Sequence, residues 1–135
     1  MKILIDTNVI SYVLREREPF FSRFTEALEI ENVFVASDVV DYEIRRYLVL
    51  KDAKRQLARY EALSRDWLPV SLTRDDWRTA AKIWAELHRV GRSIEDRDLL
   101  IAVSALKEQA VLVTNNTRHF EGLGVLLADW AADSG

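Results

Sequence analysis

The sequence predicts an α/β protein, a three-layer α/β/α sandwich on a mainly parallel central sheet of about 4–5 strands. Three observations predict it. Four apolar runs, Ile3 to Ile5, Val33 to Ala36, Val111 to Thr114 and Val125 to Leu127, are continuous in the way that suits strands buried on both faces, and Leu68 to Ser71 is a weaker fifth. Stretches with helical spacing separate them, so strands and helices alternate. With four glycines, two prolines and no polar linker or repeat in 135 residues, nothing marks an internal boundary, and 1–135 reads as one domain.

The first strand stops at Asp6, and a helix follows. After the second strand, Ser37 is placed to cap a helix from about Asp38, on which Val39, Val40, Glu43 and Tyr47 share a face through spacings of three and four. Trp77, Ala80, Ala81, Trp84, Leu87 and His88 repeat at helix spacing behind Thr73, with Asp76 at the capping-box position; the two tryptophans fit a core stripe. Leu99, Leu100, Ala102, Val103, Ala105 and Leu106 leave the next helix almost no polar face, which makes it central.

Composition bounds the rest. At 49% hydrophobic and 30% charged residues the chain has an ordinary globular balance. The absence of cysteine excludes disulfides, thiolate zinc sites and a cysteine nucleophile. No signal-like or membrane-spanning apolar run is present, so the expected location is cytoplasmic with no membrane partner. A formal net charge of −3 does not advertise nucleic-acid binding, but its distribution does: Arg45, Arg46, Lys51, Lys54, Arg55 and Arg59 face one acid, Asp52, between Arg45 and Tyr60. A solvated helix face is the plainer interpretation of that stretch.

Three acids are candidates for chemistry. Asp6 lies at the carboxyl end of a strand, where open parallel sheets bind ligands, though Asp before a helix is also an ordinary N-cap. Glu43 sits on a half-apolar face and either points to a polar site or snorkels outward. Asp98, one turn into the buried helix, shares its face with Ala102 and Ala105, whereas Asp96 is rotated from it by about 200°. Three converging carboxylates repel one another, and a divalent cation such as magnesium, with its preference for a few carboxylate oxygens, removes that conflict. Neither His88, in a helix, nor His119, in a loop, has a companion at zinc-ligand spacing.

The strings LIDTNVI, DYEIRR, DLLIAVSA, VLVTNNTRHF and the late ADW, in this order and spacing, resemble PIN-domain ribonucleases, and among them the VapC toxins of toxin–antitoxin pairs. The resemblance assigns Asp6 and Asp98 to the metal and Asp6, Glu43 and Asp98 to catalysis, with Thr7, Asn8, Thr114 and Asn116 in support. It implies magnesium, with manganese as a substitute, and hydrolysis of RNA by activated water that leaves 5′-phosphate and 3′-hydroxyl ends, with Glu43 as orienter or general base. Many relatives carry a fourth acid in the segment TNNTRHF; here amides and His119 stand instead, which implies one well-bound metal, with a second recruited by the RNA.

On this reading the basic stretch becomes an RNA rail. The resemblance also implies a homodimer and a cognate VapB-like antitoxin lying in a groove that Tyr12, Tyr42, Tyr47 and the tryptophans are candidates to line; similar toxins cut transfer, ribosomal or messenger RNA. Two other classes compete. A phosphotransfer enzyme or receiver domain also puts an aspartate after a strand, but Asn8 stands where a phosphatase of that kind has its second aspartate. A non-catalytic binding module would use the acids as caps, and a PIN-like nuclease outside any toxin–antitoxin pair is the third alternative.

Overall fold

A computed structural model describes residues 1–132. Five parallel strands, β1 (Lys2–Ile5), β2 (Val33–Ser37), β3 (Leu68–Val70), β4 (Val111–Val113) and β5 (Leu126–Ala128), form one sheet in the order β3-β2-β1-β4-β5. The weak fifth run is therefore a strand, and it is an edge strand. That position accommodates Pro69, which has no N–H to donate to a second neighbour.

Among the described residues seven helices connect the strands: α1 (Thr7–Leu14), α2 (Phe20–Glu29), α3 (Asp38–Leu50), α4 (Lys54–Ser64), α5 (Arg74–Arg89), α6 (Asp96–Glu108) and α7 (Thr117–Phe120). The chain steps from β1 to β2 to β3 in one direction and then returns across the sheet to β4. Right-handed crossovers therefore put α1–α4 on one face and α5–α7 on the other. The packing of α1 on α2 and α3, and of α6 on α5, α7 and β4, agrees with this. No helix among the described residues is long and apolar enough to cross a membrane.

The runs of β1, β2 and β4 form the core as expected, whereas the Val125–Leu127 run does not: β5 is an edge strand with Leu126 65% exposed and no fully buried residue, because no described strand pairs with its outer side. Leu4, Ile101 and Leu112 have no exposed surface, and Ile5, Val9, Ile10, Phe24 and Val113 pack with them. Burying each such side chain contributes about 1.5–3 kcal/mol before the entropy of ordering is set against it. Helix α6 is central, with Leu99 and Ile101 to Ala105 buried.

The α5 stripe departs from expectation. Trp77 and Trp84 are 54% and 44% exposed, and only Ala80 of this helix is fully buried. The cause is position: α5 packs on α6 through Ala80 and Ile83 against Leu99, Val103 and Leu100, at the margin of its layer, so no described element covers its outer flank. Trp84 instead stacks on His88, with centroids 4.9 Å apart. The capping box of Thr73 and Asp76 is present.

Candidate active site

The strand order reverses between β1 and β4, so the crevice beyond their carboxyl ends is the topological switch point where such sheets take ligands. Asp6 and Thr114 lie there side by side, because Ile5 is in register with Val113 and the Asp6 amide donates to the Val113 carbonyl at 2.8 Å. Both residues are completely buried. The Thr114 hydroxyl donates to Asp6 Oδ2 at 2.9 Å and the Thr7 amide to Asp6 Oδ1 at 2.7 Å. Asp6 is thus the N-cap of α1 and also a carboxylate held in the crevice; the two roles coexist.

Helix α3 supplies Glu43. Its Ser37 cap accepts from the Val39 and Val40 amides, which fixes the start and phase of the helix. Glu43 turns toward the crevice, where its Oε1 accepts from the Thr7 hydroxyl at 2.7 Å. Helix α6 supplies Asp98, 4% exposed, whereas Asp96 faces solvent, so the phase argument separates the two correctly.

Arg97 stands at the centre of these acids, and sequence reasoning missed it. Its Nη2 donates to Asp6 Oδ1 at 2.6 Å, its Nη1 to Asp98 Oδ1 at 2.7 Å, and its Nε to both Glu43 oxygens at 2.9 and 2.8 Å. One guanidinium thus bridges carboxylates from three elements. Burial lowers the pKa of this guanidinium, but the Asp6 charge and the hydrogen bonds from Glu43 and Asp6 outweigh that, so the net shift is upward and the cation is held firmly. A signal was available: Arg97 is the lone base between Arg92 and Lys107, flanked by Glu95, Asp96 and Asp98.

His119 lies in the short helix α7, not in a loop, and its Nδ1 is 3.2 Å from Asp98 Oδ2. Arg92 anchors this segment by donating to the His119 carbonyl at 3.2 Å and to the Glu121 carbonyl. Asn116 meets the site through its backbone, donating to Thr114 Oγ1 at 3.0 Å. The neighbouring Asn115 Oδ1 is buried without a hydrogen-bond partner among the described residues.

Two clefts flank the acids. One, of about 360 Å³, is lined by Thr7, Asn8, Tyr12, Arg15, Glu43, Arg46, Tyr47 and Lys51; the other, of about 370 Å³, by Arg92, Ser93, Asp98, Arg118 and His119. Of the basic stretch, Arg46 and Lys51 face the first cleft. Arg45 is bound to Asp41 and Glu61, Arg59 to Glu16 and the Leu14 carbonyl, and Lys54 lies 4.0 Å from Asp52. Arg55 is on the exposed surface of α4. Tyr12 and Tyr47 line the cleft, while Tyr42 lies outside it under Arg46.

Among the described residues no three acidic or histidine side chains converge as a finished metal site. The chemistry of the donors nevertheless fits a hard divalent cation. Asp6, Glu43 and Asp98 present carboxylate oxygens, and they already surround a positive charge, the Arg97 guanidinium, that acts as a stand-in ion. Arg97 is the cation shared by all three acids, while Arg46, with its Nη2 3.9 Å from Glu43 Oε2, flanks the cluster on the side of the first cleft.

The chain is 28% identical to Ribonuclease VapC2 of Haemophilus influenzae, covering 90% of this chain and 91% of that protein. It is 32% identical to the plasmid stability protein StbB of Pseudomonas syringae pv. tomato, covering 96% and 99%. The crystal structure of DNA-bound VapBC from Salmonella typhimurium is similar with a TM-score of 0.79 at 27% identity, covering 96% of this chain and 98% of that one. Residues 3–125 match the PIN domain model, and with its parallel sheet and acids at the β1/β4 switch point the chain belongs to the PIN-domain family.

Proposed function

We propose that this chain is a divalent-metal-dependent endoribonuclease, a VapC-like toxin that works as one PIN-like domain over residues 1–135 in the cytoplasm. The observation that carries the reading is the convergence of Asp6, Glu43 and Asp98, from three separate elements, on one cationic centre at the switch point. Similarity to proteins named ribonuclease VapC supports the activity, and likeness to a VapBC complex supports a cognate antitoxin as partner.

Asp6 and Asp98 are assigned to hold the cation, magnesium or manganese. When bound, it supplies Lewis-acid neutralisation of the charge that builds on the phosphate during in-line displacement by water. Glu43 orients that water and accepts its proton; the Thr7 hydroxyl, bonded at 2.7 Å, fixes the rotamer Glu43 needs for this. Thr114 performs the same service for Asp6. Arg15, Arg46 and Lys51 carry the positive charge of the adjoining cleft and take RNA phosphates, with Arg15 held over the Tyr12 ring and Lys51 over the Tyr47 ring. The products are a 5′-phosphate and a 3′-hydroxyl.

Purified protein incubated with transfer, ribosomal and messenger RNA, with cleavage ends mapped, tests the proposal. Cleavage should require Mg²⁺ or Mn²⁺, stop with EDTA, and disappear in a folded Asp98→Asn variant. Cleavage that persists in EDTA or in Asp98→Asn refutes it.

A further inference from the structure

Resting on the metal-site reading above, we infer that Arg97 is a positioning residue that competes with the cation: it holds the acids in register while the metal is absent and must swing out for the metal to bind. The guanidinium contacts Asp6, Glu43 and Asp98 together through four hydrogen bonds. A metal ion needs the same carboxylate lone pairs, so the two cations are alternative occupants of one space. Arginine stays charged at any pH a protein survives, so it cannot vacate the site by losing a proton; the side chain has to move.

The surroundings permit that movement. The Arg97 side chain is 27% exposed, whereas those of Asp6, Asp98 and Glu43 are 0%, 6% and 13% exposed. The cation sits at the mouth and the acids line the wall. Each acid also keeps a neighbour that does not depend on Arg97. Thr7 and Thr114 donate to Asp6, the Thr7 hydroxyl donates to Glu43, and His119 lies beside Asp98. Departure of the guanidinium therefore leaves the acidic wall standing, with Arg46 beside Glu43 as the remaining cation, 3.9 Å away, until a divalent ion arrives.

The energetic consequence is a toll on metal affinity. A ligand that binds only the open form has its apparent affinity reduced by the fraction of molecules that are open, so a latch closed in about 90–99% of metal-free molecules weakens binding about 10- to 100-fold. Arg97 opposes loading but keeps like charges from driving one another apart in the unloaded protein. A residue that merely buttressed the fold would behave oppositely, since its removal would weaken metal binding or leave it unchanged.

The test is Mn²⁺ binding by calorimetry to the wild-type chain, Arg97→Ala and Arg97→Lys, with thermal unfolding of each in EDTA. Arg97→Ala should bind Mn²⁺ at least about tenfold more tightly while melting lower in EDTA, and Arg97→Lys, lacking the fork, should fall between. Guanidinium chloride at a non-denaturing concentration should weaken Mn²⁺ binding to Arg97→Ala more than sodium chloride of equal ionic strength. In the wild-type protein, the Arg97 Nε–H resonance should shift as Mg²⁺ is added and saturate with the binding isotherm, a readout that does not depend on a variant folding. Equal or weaker Mn²⁺ binding by folded Arg97→Ala, or an Nε–H resonance unmoved at saturation, overturns the inference and leaves the metal site intact. No Mn²⁺ binding by either the wild-type chain or Arg97→Ala overturns the metal-site reading itself.

Discussion

Thr114→Val removes a hydroxyl and nearly nothing else. The two side chains have almost the same shape, so packing at this fully buried position is preserved while two hydrogen bonds disappear. The first runs from Thr114 Oγ1 to Asp6 Oδ2 at 2.9 Å, and no other hydrogen bond to that carboxylate oxygen is seen among the described residues. Stranding a buried charged acceptor costs about 1–3 kcal/mol. The second, from the Asn116 amide to Thr114 Oγ1 at 3.0 Å, is partly buried and adds about 0.5–1 kcal/mol. A loss of about 1.5–4 kcal/mol follows, roughly 5–16 °C in Tm for a chain of this size.

Urea titration and calorimetry measure that loss directly. Thr114→Ser keeps the hydroxyl and gives up one methyl group, so it should cost about 1 kcal/mol and retain the geometry of Asp6. In an Asp6→Ala background the Val substitution should lose most of its effect, because its main partner has gone. The reasoning fails if Thr114→Val is within about 0.5 kcal/mol of wild type, or if Thr114→Ser is no more stable than Thr114→Val.

Three further outcomes follow from the same structure. With Asp98 as the proposed ligand, Asp98→Asn should cut RNA cleavage by more than about 100-fold, above the loss usual for a ligand's outer neighbours, while Asp96→Asn, on the exposed side of α6, should stay near wild type; comparable losses in both would remove the distinction. Reversing charge at Arg46 and Lys51, which face the first cleft, should weaken RNA binding and flatten its log–log salt dependence by about 0.7 for each phosphate no longer neutralised, whereas reversal at Arg55 should have little effect. Asp76 is held at about 2 by the hydrogen bond from Lys107 and by the Thr73 amide, below the ordinary aspartate value of about 3.9. Because the folded value is the lower one, its stabilisation is present above about pH 4 and is lost as pH falls toward 2. The stability gap between wild type and Asp76→Asn should close across that window, and a gap that widened on acidification would contradict the assignment.

Much of the fold and half of the site are legible in the sequence because they are governed by short-range periodicity. Continuous Val/Ile/Leu runs at Ile3, Val33 and Val111 identify strands covered on both faces, and a strand ending on Asp6 identifies an acid in the crevice. Helical phase is equally local, so Asp98 and Asp96 are separable by rotation alone. The half-apolar face of Glu43 leaves two orientations open, and only the docking of α3 beside the Thr7 hydroxyl selects between them.

What escapes such reasoning depends on tertiary distance. Arg97 contacts Asp6 across 91 positions and Glu43 across 54, and a long flexible arm carries no periodic signature of its target. The meeting of His119 with Asp98 likewise depends on how α7 docks on α6. The exposure of Trp77 and Trp84 has a related cause. Spacing reveals that a helix has an apolar flank, but whether another layer covers that flank depends on where α5 lies in the sandwich. The basic stretch is continuous in sequence, yet partners distant along the chain, Glu61 for Arg45 and Glu16 for Arg59, divide it.

Anomalous scattering from crystals grown with Mn²⁺ tests the central claim most directly, because it locates the metal without reference to activity. The proposed assignment predicts a peak at the mouth of the β1/β4 crevice, held by oxygens of Asp6 and Asp98, with the Arg97 guanidinium displaced from between them. A Mn²⁺ peak elsewhere, or an unchanged Arg97 bridge in crystals saturated with the ion, would contradict it.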